Sequence, residues 1–206
     1  MNSLTYDAVL FDFDGVIVDS EPVHFACWRE LLETVGIRLS WDFYQAECVG
    51  IAERPMLDLI ARHAGRPDMT DRLLDFYPQK KAMFRHKMAE LLPVSPGVTD
   101  LITELRGYRL AVVTSSGRED VQPVLEQAGL MDSLDALVCG HEAGALKPSP
   151  APYLLAAERV EARRPLVVED SEAGESSGRA AGFDVLRVKQ SSEVAEAVRG
   201  RLRLGE

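Results

Sequence analysis

The sequence predicts an α/β protein: a doubly wound, Rossmann-like parallel sheet core carrying an inserted all-helical domain. Three observations carry that prediction. From residue 95 onward, short and wholly apolar runs alternate with segments of helical periodicity. Strands covered on both faces read this way, and helices between them make the sheet parallel. The first apolar run, at 7–13, is followed instead by a long stretch of helical spacing with no strand pattern. Third, residues able to do chemistry stand where the apolar runs end, which is where parallel sheets bind ligands. The core is expected over 1–18 and 93–206, and the helical domain over 19–92.

Each element has its own warrant. Residues 7–13 read as a buried strand running into Gly15. Ser20 is a fair N-cap with Pro22 in the first turn, and His24, Trp28, Leu31, Leu32 and Val35 follow at helical spacing until Gly36. Met56, Leu57, Leu59 and Ile60 suggest a second helix, Leu73 to Tyr77 a third, and Lys80 to Leu92 a fourth. After Ser95-Pro96-Gly97 a helix (Val98, Leu101, Ile102, Leu105) leads to the strand Leu110–Thr114. A helix from Val121 to Ala128, stopped by Gly129, precedes a strand at 136–139. A helix around Tyr153 to Val160, the strand Leu166–Val168, a small-residue helix near 173–181, the strand Val185–Val188 and a last helix near 192–203 complete the chain.

Composition narrows the function. With 46% hydrophobic and 27% charged residues the chain is a folded globular protein rather than a disordered one. A net charge of −10 argues against a nucleic-acid partner. It does not exclude a small anion, which one lysine, a metal ion and a few backbone amides can hold. No apolar run is long enough to span a membrane, and the N-terminus has no signal pattern. Cys27, Cys48 and Cys139 are odd in number and form no Cys-x-x-Cys pair, so a reducing, cytoplasmic setting is expected. A monomer is expected as well.

The strand ends define the candidate site. Asp12 and Asp14 follow the first strand; two residues apart on a strand, they would leave it on the same side. Asp and Gly also form ordinary turns. Two carboxylates held together repel, and a proton or a divalent cation must settle them; hard oxygen ligands in small number suit Mg2+. Thr114, Ser115 and Ser116 end the second strand, Glu169 and Asp170 a later one, and Lys147 sits between them in a loop stiffened by Pro148 and Pro150. Singly these residues could cap helices or face solvent. Together, at strand ends, they point to a phosphate and Mg2+ site.

In order, Asp-x-Asp-Gly-Val, strand-Thr-Ser, Lys-Pro-x-Pro and Glu-Asp-Ser-x-x-Gly resemble the haloacid dehalogenase superfamily of phosphatases, from Tyr6 to about Val188. Asp19-Ser20-Glu21-Pro22-Val23-His24 resembles its branch of β-phosphoglucomutase, sugar-phosphate phosphatases and phosphoglycolate phosphatases. The resemblance implies that the inserted helices are a substrate-selecting cap. It implies Asp12 as the nucleophile that forms an aspartyl-phosphate, and Asp14 as general acid and then base. Mg2+ would be held by Asp12, the Asp14 carbonyl and Asp170, with Glu169 nearby or through water. Thr114 with the Ser115 amide, and Lys147, would hold the transferring phosphoryl oxygens; Ser116, from its place at the strand end, is a further phosphate- or substrate-binding candidate.

In the helical domain, His24 and Lys80 match a histidine and a lysine that the mutase uses to couple closure to acid–base readiness. Either could equally be a packing or solvent-facing residue. The family's aromatic four residues after that lysine is commonly tyrosine; here it is Phe84. Gly50 and Ile51 resemble the loop that touches substrate. The mutase arginine for a far phosphate falls on Glu53, with Arg54 next, and an acid is a poor phosphate ligand. Glu175 and Ala151 also depart from the family pattern, at positions commonly aliphatic and aspartate.

The expected function is a Mg2+-dependent phosphatase of a small phosphorylated metabolite. β-Phosphoglucomutase is the nearest alternative. A receiver-type phospho-aspartate signalling module is an alternative of another class, although such modules are about half this length and lack the helical insert.

Overall fold

The computed structural model describes residues 6–204. The chain separates into two compact units, Ser20–Leu91 and the segments on either side of it.

In the outer unit, β1 (Ala8–Phe11) is the central strand. It is followed, past the helical unit, by α6 (Val98–Glu104), β2 (Arg109–Thr114), α7 (Arg118–Gln127), β3 (Ala136–Cys139), α8 (Ala151–Arg159), β4 (Pro165–Glu169), α9 (Glu172–Ala180), β5 (Asp184–Arg187) and α10 (Val194–Leu202). The five strands form one parallel sheet in the order β3-β2-β1-β4-β5. The doubly wound α/β class predicted from the alternation is therefore the one observed. Ala8, Leu10, Ala111, Val113, Val138 and Val167 pack against Tyr153, Ala156 and Ala157 of α8 and Val160 just after it. Val9 and Phe11, on the alternate positions, are also fully buried, so both faces of β1 are covered, which is why it reads as an unbroken apolar run. The chain leaves β1 first toward β2 and β3, then returns to the other side for β4 and β5. That reversal opens a crevice at the carboxyl ends of β1 and β4.

The helical unit comprises α1 (Glu21–Glu33), α2 (Trp41–Glu47), α3 (Glu53–His63), α4 (Thr70–Leu74) and α5 (Tyr77–Leu91). Its core joins Trp28, Leu31 and Leu32 of α1 to Leu57 and Ile60 of α3 and Leu73 of α4. Among the described residues no helix is long and apolar enough to cross a membrane.

Three local expectations are corrected. The first strand closes at Phe11, not at residue 13. Period-two alternation therefore does not set the Asp12/Asp14 pair. A turn does, closed by Gly15 N–H donating to Val18 O (2.8 Å) and Ile17 N–H to Phe13 O (2.9 Å). Ser20 has helical dihedrals and makes no side-chain cap, so Pro22 alone marks the start of α1. Helix α2 has no counterpart in the periodicity reading. It is seven residues long, too short to repeat a stripe, and its one local signal is Ser40, whose Oγ accepts from Phe43 N–H (3.3 Å).

Candidate active site

The carboxyl edge of the sheet gathers the acids around one ammonium. Lys147 Nζ donates to Asp12 Oδ1 (2.5 Å), Glu169 Oε1 (2.6 Å) and the Val113 carbonyl (2.8 Å). Its side chain is 5% exposed, against 11% for Asp12 and 0% for Glu169. All three N–H donors of the lysine are used. Burial opposes its charge, but the Asp12 and Glu169 carboxylates outweigh burial and hold the ammonium above the ordinary lysine range.

Glu169 is more fully enclosed than its motif suggests. Oε1 also accepts from the Tyr153 hydroxyl (2.6 Å), and Oε2 accepts from Ser171 Oγ (3.0 Å), Asp170 N–H (3.2 Å) and Ser171 N–H (3.3 Å). Two glycines make room for these acids. A Cβ at Gly174 would run into the Glu169 carboxylate, and one at Gly15, where φ is +73°, into that of Asp170.

The charges do not balance. Asp12, Glu169 and Asp170 face one lysine. Burial pushes the Asp12 carboxyl well above its usual range, with Lys147 opposing and the other acids adding to it. Burial, then Glu169 and Asp14, push Asp170 up to about 6. Carboxyl oxygens of Asp12, Glu169 and Asp170 lie within 4.8 Å of one another. A hard divalent cation would supply the missing positive charge, so the donor set fits Mg2+. The oxygens of Glu169 are already committed to five donors, which favours Asp12 and Asp170 as the side chains that would hold it.

The β2 end supplies hydroxyls. Thr114, buried, accepts the Ser116 N–H at Oγ1 (3.0 Å), which leaves its own proton free to donate. Ser116 Oγ donates to Asp14 Oδ2 (3.0 Å). Ser115 is exposed. Arg118, at the start of α7, turns away to Glu142 (2.8 Å) and the Leu137 carbonyl (2.9 Å). The structure thus brings Asp12, Asp14, Thr114, Ser116, Lys147, Glu169 and Asp170 to one edge.

Tyr153 is the residue that sequence reasoning missed; it served only to mark a helix. Its ring also lies 4.9 Å from the Lys147 ammonium. The available signal was a phenol amid the apolar positions of α8, since a buried Tyr hydroxyl needs a partner. The departure at Glu175 has a structural account: it pairs with Arg179 (2.7 Å) and Arg187 (3.1 Å). Nothing in the structure explains Ala151.

Within the helical unit, His24 and Lys80 meet: Lys80 Nζ lies 2.6 Å from His24 Nδ1. An ammonium can only donate, so Nδ1 accepts and the imidazole is neutral. Phe84 stacks on the ring at 4.1 Å between centroids, which gives that aromatic a role without a hydroxyl. Burial, and then Lys80, lower the His24 pKa to about 3. Protonating it is therefore harder folded than unfolded. The helical unit should keep full stability above about pH 6.5 and lose up to about 1.4 kcal/mol per unit as pH falls below it. Hydrogen exchange in α1 and α5 between pH 7.5 and 5.5, compared with His24→Gln, checks this; equal pH slopes would refute it. Gly50 (φ +77°) and Ile51 lie in an exposed turn after α2. Arg54 is paired with Asp71 (2.8 Å) on the surface.

A doubly wound parallel sheet whose carboxyl edge carries clustered acids, hydroxyls and one buried lysine defines an α/β protein with a candidate catalytic site at its strand ends. Comparison with known proteins makes this specific. The chain belongs to the haloacid dehalogenase-like hydrolase family, whose model matches residues 9–188. It is 30% identical over 186 residues to a phosphorylated carbohydrates phosphatase of Thermotoga maritima, covering 86% of this chain and 82% of that one. It is 29% identical over 199 residues to the fructose-1-phosphate phosphatase of Escherichia coli, covering 89% and 97%. Among solved structures, β-phosphoglucomutase from Clostridium difficile superposes with a TM-score of 0.67 at 21% identity, covering 96% and 97%; at that identity it bears on fold alone. Family and relatives support a phosphoric monoester hydrolase. A receiver-type module is set aside by the family match.

Proposed function

We propose that this protein is a Mg2+-dependent phosphatase of a small phosphorylated metabolite, such as a sugar phosphate, working through an aspartyl-phosphate on Asp12. The observation that carries the reading is the buried ammonium of Lys147, shared by Asp12 and Glu169. A carboxylate can approach a phosphate dianion only where positive charge is fixed beside it. Lys147 supplies that charge at the attacking oxygen, while Glu169, anchored by Tyr153 and Ser171, keeps the lysine in place. Thr114 and the Ser115 amide donate to the transferring phosphoryl oxygens. Asp14 protonates the leaving alkoxide and later takes a proton from the attacking water. Asp12, Asp170 and the Asp14 carbonyl would hold Mg2+, which would supply positive charge against the phosphoryl oxygens. Substrate choice is assigned to the helical unit, with His24, Lys80, Gly50, Ile51 and Arg54 as the positions to substitute first.

The test is free phosphate released from a panel of phosphorylated metabolites, with Mg2+ and again with chelator. Mg2+-dependent release from one or a few small phosphomonoesters is the expected result. Hydrolysis that ignores chelation, or none on any member, would overturn the reading.

A β-phosphoglucomutase is favoured by one specific observation, the His24–Lys80 contact at 2.6 Å. Against it, Glu53 stands where an arginine would hold the far phosphate, and Arg54 is tied to Asp71. Incubation with β-glucose 1-phosphate and its bisphosphate decides: glucose 6-phosphate indicates the mutase, free phosphate without isomerisation the phosphatase.

A further inference from the structure

The hydroxyl of Ser116 has one proton, and the structure shows where it goes. Ser116 Oγ donates to Asp14 Oδ2 at 3.0 Å, joining residues 102 positions apart. The serine is held on two sides. Its N–H donates to Thr114 Oγ1 (3.0 Å). Its carbonyl backs onto Gly140, whose φ is +48° and whose missing Cβ would lie 3.6 Å from Ser116 O. Asp14 itself sits in the turn after β1, where Gly15 N–H closes onto Val18 O. Both partners are thus fixed by backbone contacts, and the bond between them is set by the fold.

A hydroxyl whose proton is given to a carboxylate cannot also give it to a phosphoryl oxygen. The phosphate-binding role expected of Ser116 from its place after the second strand therefore does not describe this geometry. Resting on the reading of Asp14 as acid and base, we infer that Ser116 is a positioning residue for Asp14. It pins Oδ2 and leaves Oδ1 as the oxygen that carries the proton to the leaving group. In that step the Asp12 carboxylate forms a bond to phosphorus as the ester P–O bond breaks. The bond's electron pair passes to the ester oxygen, which takes the Asp14 proton. When water then attacks phosphorus, its proton returns to Asp14 and the Asp12 carboxylate is regenerated. Without Ser116 the Asp14 side chain is free to rotate, and proton delivery suffers while charge cancellation at phosphorus does not.

That difference gives a test. An aryl phosphate such as p-nitrophenyl phosphate releases a stable anion and needs little protonation; an alkyl phosphate needs it fully. Values of kcat/KM report phosphoryl transfer to Asp12 in both cases. For Ser116→Ala, kcat/KM should fall about tenfold or more on the best alkyl phosphate and less than about twofold on the aryl one, as expected for loss of a hydrogen bond to a charged group. Ser116→Thr, which keeps the hydroxyl, should recover most of the alkyl rate. Equal losses on both substrates would mean a merely structural role and overturn the inference, as would no loss on either. Asp14→Asn is the control. If it too slows the alkyl substrate selectively while Ser116→Ala does not, the inference alone falls. If Asp14→Asn slows both substrates equally, the acid role of Asp14 falls, and the inference with it.

Discussion

Asp12→Asn should abolish turnover, lowering phosphate release by about 10⁴-fold or more, as removal of a covalent nucleophile does elsewhere. The amide keeps the shape of the side chain but has no negative oxygen to attack phosphorus. The fold should survive. Burial already disfavours the charged form of Asp12, so a neutral side chain of equal size relieves that cost. Lys147 retains Glu169 and the Val113 carbonyl as partners. The expected change in stability is within about 1 kcal/mol, the usual range for a substitution that leaves no buried group unpaired. Phosphate release and a thermal melt on the same preparation check both halves. A variant that still turns over would show that Asp12 is not the nucleophile. One that fails to fold would show that its charge is structural.

Lys147→Met should fail in the opposite manner, losing both activity and stability. The apolar chain fills much the same volume but removes the one ammonium between Asp12 and Glu169, both of which are buried. Breaking a buried ion pair by deleting one partner costs about 3–5 kcal/mol, because the other charge is left uncompensated. The rate should fall by about 10³-fold, at the upper end for losing one preorganised donor to a developing charge. The pH dependence separates this cause from a packing defect. Left without its ammonium, the Asp12 carboxyl, which burial already pushes up, rises further and takes up a proton in the folded state. The folded variant then binds more protons than the unfolded chain, so its deficit is largest near pH 8 and shrinks as pH falls toward 5. Denaturant unfolding at the two pH values measures it. A deficit independent of pH would mean that lost packing, and not stranded charge, is responsible.

The fold class was legible because strands buried on both faces leave an unmistakable trace. Val9, Leu10 and Phe11, or Leu166, Val167 and Val168, cannot alternate with polar residues when both sides of the sheet are covered. The acids, hydroxyls and lysine could be picked out because parallel sheets place ligands at strand ends, and because their order matches a known family. Less was legible where the signal is short. Helix α2 offers two turns and no repeat, and the turn at Gly15 replaces two residues of expected strand.

What the sequence determined by itself is the order of the sheet's elements and which residues stand near the strand ends, since both follow from neighbours two to four positions away. Which of those residues touch was decided by the tertiary structure alone. Lys147 reaches Asp12 across 135 positions, Ser116 reaches Asp14 across 102, and Tyr153 closes over Glu169 from a helix that periodicity treated as apolar. Arg54 pairs with Asp71, and Lys80 finds His24 from the far end of the helical unit. Such pairings depend on strand order, register and helix packing. Those are fixed only when the whole apolar surface is buried at once, so no local pattern records them.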